Sequence, residues 1–366
     1  MTLLTMGVEE EFLLVDGVSR RPADRAPSVI AAAAAELGPQ VQAEFFTAQV
    51  EVCTEPVAAT DALRAELARL RRAAVAAAGA SGCRLVATGT PVVPPVQPLT
   101  VTDTDRYRRM ARKFAAYVGE YDGLVCGCHV HVGSIDRACA LALANHMRPW
   151  LPVLQSLTGN SPFCLGRDTG FESWRFKTFA RWPTVGPAPV LRENQYEARV
   201  GALVARRVLM DRRMVYWYAR PSEHVPTLEI RVPDSNADLD TVVLVAALVR
   251  GLAQSLRAEG AEERPPPRAP NRLLRCAHEL AASQGLTGWG LDPVSGEQLP
   301  AGVLVDRLVA RAAPGLEAAG DLPLVAELLA RLRRNGSGAS RQRAVLRRTG
   351  RLTEVVDALA ATTEAV

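Results

Sequence analysis

Four short stretches of the chain alternate between polar and apolar positions with a period of two. In MGVEEEFLL (residues 6–14), Glu9 and Glu11 fall on one face with Gly7 and Leu13, while Val8, Glu10, Phe12 and Leu14 fall on the other. QVEVC (49–53) places Gln49 and Glu51 opposite Val50 and Val52. GCHVHVG (127–133) places His129 and His131 together. TLEIRV (227–232) sets Thr227, Glu229 and Arg231 against Leu228, Ile230 and Val232. Period-two alternation predicts strands with one dry face and one wet face, as in antiparallel sheets. A wet face built from Glu and His, with little Lys, Ser or Thr, reads as the floor of a site. Adjacent carboxylates repel and lose hydration unless a cation lies between them.

Between these strands the apolar spacing turns helical. Helices are predicted over residues 27–37, 60–79 (Leu63, Leu67 and Leu70 forming the apolar stripe, Thr60 and Asp61 the cap), 104–121, 136–157, 193–211 and 238–259. A strand is expected at 85–88, and a hairpin from 214–219 and 227–232. Residues 164–190 read as a long ordered loop. After the Pro-rich, charged stretch at 262–270 only helical patterns remain, at 271–284, 302–313, 322–334 and 341–362. The expected fold class is α+β with a mainly antiparallel sheet. The expected division is a sheet-and-helix region, 1–261, and a helical region, 262–366, packed as part of the same domain.

Composition narrows the classes. The 366 residues are 48% apolar, enough for a large core. No apolar run is expected to reach membrane-spanning length, the chain enters a strand almost at once, and the seven cysteines lack framework spacing. These features predict a cytoplasmic protein without a membrane partner. All but two of the 43 basic residues are arginines. Those in 331–351 lack the aromatic interleaving of a nucleic-acid site, so no nucleic-acid partner is expected.

Cys126, Cys128, His129 and His131 are zinc-type ligands. Alternation turns the cysteines away from the histidines, which argues against zinc. Glutamates with a histidine instead suit Mg²⁺ or Mn²⁺ holding nucleotide phosphates. Neither a P-loop nor a dinucleotide fingerprint is present. Glu229 would complete the metal set and Arg231 would grip an anion beside it. Arg220 and Arg175 are further anion-binding candidates.

The motifs GVEEEF, QVEVCT, GCHVHVG, NSPFCLGRDTGFESWR, RPSEHVPTLEIRVPD and GSGASRQR together resemble the carboxylate–amine ligase family, also called glutamate–cysteine ligase type 2, from Met6 to about Leu352. The resemblance implies a glutamine synthetase-like catalytic fold and ATP-dependent joining of an acid to an amine through an acyl phosphate. It implies metal ligation by Glu9, Glu11, Glu51, Glu229 and one histidine, His131 being the choice. It also implies a role for His129, His131, Asn160, Ser161, Arg341 and Arg343 around the nucleotide, and for Arg231, Arg220 and Arg175 at the transferred group. The expected partners are a small-molecule acid and amine, with self-association left open. Tyr218, where the family often has Asp, and Glu279, Leu280 and Ser283, in place of a Trp-Arg-x-x-Arg run, point to a different acid or amine. A phosphotransferase acting on a carboxylate or guanidino compound is the alternative. A nonenzymatic nucleotide-binding protein is the other.

Overall fold

The computed structural model describes residues 2–366. Strand β1 (Thr5–Asp16) is the longest strand and the hub of the main sheet. Its neighbours are β3 (Gln49–Cys53) on one side and β5 (Cys128–Gly133) on the other, with β4 (Cys83–Val86) pairing its C-terminal end. β2 (Val41–Ala43) extends the sheet past β3, and β9 (Leu228–Ile230) and β8 (Ala219–Pro221) extend it past β5. Every pairing is antiparallel. This is the mixed α+β architecture that the alternation predicts.

One face of the sheet is dry. Val8, Phe12, Val50, Val130, Val132, Leu228 and Ile230 are buried there beneath α1 (Ala26–Leu37), α2 (Thr60–Ala80), α5 (Arg137–Met147) and α9 (Leu239–Ala258). α9 is long and apolar enough to cross a bilayer by composition, contrary to the expectation from the sequence, yet the whole apolar window is buried inside the fold. It is a core helix between the sheet and α11 (Ala301–Ala319). α9 and α11 approach closely because both carry glycine at the crossing; a Cβ on Gly315 would lie 2.0 Å from the Gly251 carbonyl oxygen. α12 (Leu322–Asn335) also packs on α9.

Several elements differ from the pattern-based expectation. The helix expected at 104–121 divides into α3 (Asp105–Lys113) and α4 (Ala115–Val118) at Phe114, whose ring joins Tyr117 and Trp182 in an aromatic cluster. The 164–190 loop contains a small hairpin, β6 (Phe163–Cys164) with β7 (Arg167–Asp168), and α7 (Trp174–Phe179), capped by Ser173. α6 (Leu151–Leu157) follows α5 through a short 3₁₀ turn containing Pro149, and α8 is Glu193–Ala205. The strand expected at 214–219 begins only at Ala219, since Tyr216 and Trp217 pack into aromatic clusters instead. α10 (Asn271–Gln284) precedes an unforeseen hairpin, β10 (Trp289–Leu291) with β11 (Gln298–Pro300), whose turn is tied by Asp292. The helix expected at 341–362 is α13 (Gly338–Thr349) and α14 (Leu352–Glu364), separated by Gly350 at φ 67°. Thr60 does not cap α2; its hydroxyl donates to Asp321 instead.

Candidate functional site

The wet face carries the chemistry. Register sets Glu9 opposite both Cys53 and His129, Glu11 opposite Glu51, and His131 opposite Glu229. Four strands therefore deliver Glu9, Glu11, Glu51, His129, His131 and Glu229 to one patch. Their ligating atoms form three overlapping groups, Glu9–Glu51–His129, Glu9–His131–Glu229 and Glu11–Glu44–Glu51, each within 4.8 Å. Glu44 belongs to this patch although the sequence reading missed it. It lies one residue beyond β2, where Gln42 pairs with Glu51, so alternation through that short strand was the available signal.

Hydrogen bonds orient both imidazoles. His129 Nδ1 is 3.1 Å from Glu9 Oε2, and His131 Nδ1 is 2.8 Å from Thr227 Oγ1. The Nε2 atoms are buried and lack a hydrogen bond of good geometry among the described residues. They lie 3.8 Å from Glu11 and 3.2 Å from Glu9, respectively. Fixing Nδ1 and aiming Nε2 at carboxylates is how proteins present a histidine to a metal. The donor set of glutamates and imidazoles therefore fits a hard divalent cation.

The electrostatics agree. Burial pushes the Glu9 carboxyl up, but the two imidazoles held close to it, His129 and His131, outweigh burial and hold Glu9 well below the usual range. Burial also opposes ionisation of Glu229, and the guanidinium groups of Arg220 and Arg231 more than offset it. Among the described residues, Glu44 and Glu51 form no ion pair with an arginine or lysine. Burial and the charge of Glu11 push Glu44 up to about 8, and burial with the charge of Glu9 pushes Glu51 well up. Carboxyls crowded in this way ionise readily only when a cation joins them.

Arg220 grips Glu229 through Nε at 2.7 Å and Nη2 at 3.2 Å, and Arg231 binds the same carboxylate from the neighbouring position. Arg231 also lies over the Tyr216 ring. Arg175 comes from α7 to the end of this patch. It donates to the carbonyl oxygens of Arg231 and Val232 at 3.3 and 3.5 Å. It passes over Gly127, where a Cβ would lie 2.2 Å from Nη2. The Gly127 amide in turn donates to Glu11 at 2.5 Å.

The remaining residues singled out by sequence lie elsewhere. Asn160 donates to the Ala87 and Ser235 carbonyls and accepts from Gln342. Ser161 donates to Asp234, whose other oxygen accepts from Ser173 at 2.8 Å. Asp234 lies 4.0 Å from Arg175, so this buried network supports that arginine from behind. Arg341 points to Asp238 and the Gly336 carbonyl, and Arg343 to Asp168 and Glu172. Neither contacts the carboxylate–histidine patch among the described residues. Cys128 is buried on the dry face in the core. Cys126 lies outside the regular strand, so alternation does not govern it; its Sγ is 3.4 Å from Gln49 Nε2. Burial pushes both thiols well up, against thiolate ligation. Tyr218 and His278 meet at 4.5 Å between ring centroids, and Lys177 pairs with Glu279, so the family departures share one neighbourhood.

The family description "glutamate–cysteine ligase family 2" matches residues 5–359. The chain is 45% identical over 357 residues to a Saccharopolyspora erythraea protein provisionally named glutamate–cysteine ligase 2-1, covering 97% of this chain and 93% of that one. It is 43% identical over 363 residues to a similarly named Mycolicibacterium vanbaalenii protein, covering 98% of each. In fold it is similar to a glutamate–cysteine ligase from Francisella tularensis solved with AMP, with TM-score 0.70, 12% identity, and 100% and 90% coverage. It is likewise similar to a bifunctional glutathione synthetase from Pasteurella multocida, with TM-score 0.71, 15% identity, and 99% and 52% coverage.

Proposed function

The chain belongs to the glutamate–cysteine ligase family 2, and we propose that its carboxylate–histidine face drives amide formation through an acyl phosphate. It is an ATP-dependent ligase that forms C–N bonds. The observation carrying the proposed route is the convergence of three acidic groups beside two arginines on one sheet face.

Glu9, Glu11, Glu44, Glu51, Glu229 and the two Nε2 atoms would hold divalent cations. Bound there, such ions would neutralise phosphate oxygens during attack at the γ position. Arg231 and Arg220 hold Glu229 here, and Arg220 also donates to the Arg213 and Val215 carbonyls; the remaining N–H groups, chiefly those of Arg231, would meet a transferred phosphoryl group or an acid's carboxylate. Arg175, held by its own carbonyl contacts and backed by Asp234, lines the approach. His129 and His131 keep their Nδ1 atoms occupied, so neither is free to abstract a proton through that nitrogen. An amine substrate attacks the activated acyl carbon and phosphate leaves. No protein nucleophile is required.

Purified chain incubated with Mg²⁺-ATP and pooled acids and amines should release ADP only when both an acid and an amine are present. ADP from an acid alone would favour phosphotransfer without ligation. No ADP with any pair would contradict the ligase route.

Mg²⁺ should also release protons on binding. With its pKa raised to about 8, the Glu44 carboxyl is protonated at neutral pH, and a cation favours its ionised form. The folded value lies above the ordinary 4.5, so without a cation the contribution of Glu44 to stability is full below 4.5 and is lost as pH rises through about 8. Apparent Mg²⁺ affinity should climb over the same window. Calorimetric heats at pH 7 should vary with the buffer's ionisation enthalpy, and less so in Glu44→Gln. Buffer-independent heats would contradict this.

A further inference from the structure

A cavity of about 390 Å³ opens well away from the sheet face. Its walls come from the C-terminal end of α9, from α11, from the turn leading into α6, from residues 261–267 and from the β10–β11 turn. None of the carboxylate–histidine residues lines it. The volume falls within the range of small-molecule sites, and the walls are largely preformed by proline and helix. Trp150, Val153, Leu256, Leu304 and Pro267 make the apolar part.

The polar part is unevenly matched. Three guanidinium groups, Arg264, Arg307 and Arg311, face two carboxylates, Glu259 and Asp292. Glu259 is taken up by Arg311 in a two-point pair at 2.6 and 2.7 Å, which leaves Arg264 a single long contact of 3.5 Å. Asp292 spends Oδ1 on the Val294 amide of its own turn and reaches Arg307 only through Oδ2 at 3.2 Å. Arg307 Nη2 also lies 3.8 Å from Glu297, beyond hydrogen-bond distance, so Arg264 and Arg307 still hold donors with no hydrogen-bonded acid on the cavity wall among the described residues.

We propose that this cavity is a separate small-molecule site for an amphipathic monocarboxylate. The apolar body would lie against Trp150 and Val153, and the carboxylate would take the unmatched donors of Arg264 and Arg307. The Pro-rich, charged stretch at 262–270 is then one wall of a binding site.

The test titrates the full chain calorimetrically with 2-naphthoate and with its neutral counterpart 2-naphthylmethanol. Saturable binding of one naphthoate per chain is expected, with the alcohol at least tenfold weaker. Arg264→Gln combined with Arg307→Gln should weaken naphthoate at least tenfold and leave the alcohol and basal ADP release unchanged. Val153→Trp should abolish binding of both. No saturable binding, equal binding of acid and alcohol, or naphthoate binding that survives the cavity substitutions would overturn the proposal; the last result would place naphthoate at the sheet face. If Val153→Trp fails to fold by circular dichroism, the double arginine variant decides alone: a tenfold loss supports the site and an unchanged affinity refutes it.

Discussion

Glu9→Gln lowers turnover by about a hundredfold or more while leaving the fold intact. Glu9 is shared by two of the three acidic groups, meeting Glu51 and His129 in one and His131 and Glu229 in the other. Loss of residues that merely orient a metal ligand costs about 10–100-fold. If Glu9 holds a cation as proposed, loss of its charge should reach or exceed the upper end of that range. The amide keeps the shape and removes the charge that organises both imidazoles. Circular dichroism and ADP release measured on the same sample check the expectation. Activity within a few-fold of wild type would remove the acidic face from the account.

The neighbouring position has a different fate. Glu10→Ala should lower stability by about 3–5 kcal/mol, because it leaves a buried guanidinium without its counter-charge. Glu10 points to the dry face and is fully buried with Arg71 of α2, which it holds at 2.6 and 3.0 Å. Arg71 also donates to the Asn236 and Ala237 carbonyls, both at 2.7 Å, so it anchors the chain leading out of β9. The pair Glu10→Leu with Arg71→Met should recover part of the loss. Recovery stays incomplete because those two carbonyls lose their donor. Denaturant midpoints measure both effects. A loss below about 1 kcal/mol for the single change would contradict the structural role. Three consecutive glutamates thus divide their tasks by the pleat alone, the outer two in the site and the middle one in the core.

That division shows what the sequence could reveal. Alternation alone puts Glu9, Glu11, Glu51, both histidines, Glu229 and Arg231 on one face, because a strand's side-chain direction is set locally. It could not supply Arg71 as the partner of Glu10, since that contact joins residues 61 apart. Glu44 carries only a weak signal, its i, i+2 spacing from Gln42, because it lies one residue beyond a three-residue strand. Asn160 and Ser161 look like ligand-binding residues in their motif, yet here their side chains bond backbone carbonyls and Asp234. A polar side chain shows no preference in sequence between a ligand and the backbone. Helix periods were legible, but their breaks at Phe114 and Gly350 depended on an aromatic cluster and a left-handed glycine.

The most direct test of the acyl-phosphate route follows oxygen. A substrate acid is labelled with heavy oxygen in its carboxylate, turned over with Mg²⁺-ATP and an amine, and the products are read by mass spectrometry. Attack on the γ-phosphate carries one carboxylate oxygen away with the phosphate. Label in inorganic phosphate, with ADP as the nucleotide product, is the predicted result. Label in AMP, or unlabelled phosphate alongside a newly formed amide, would contradict it.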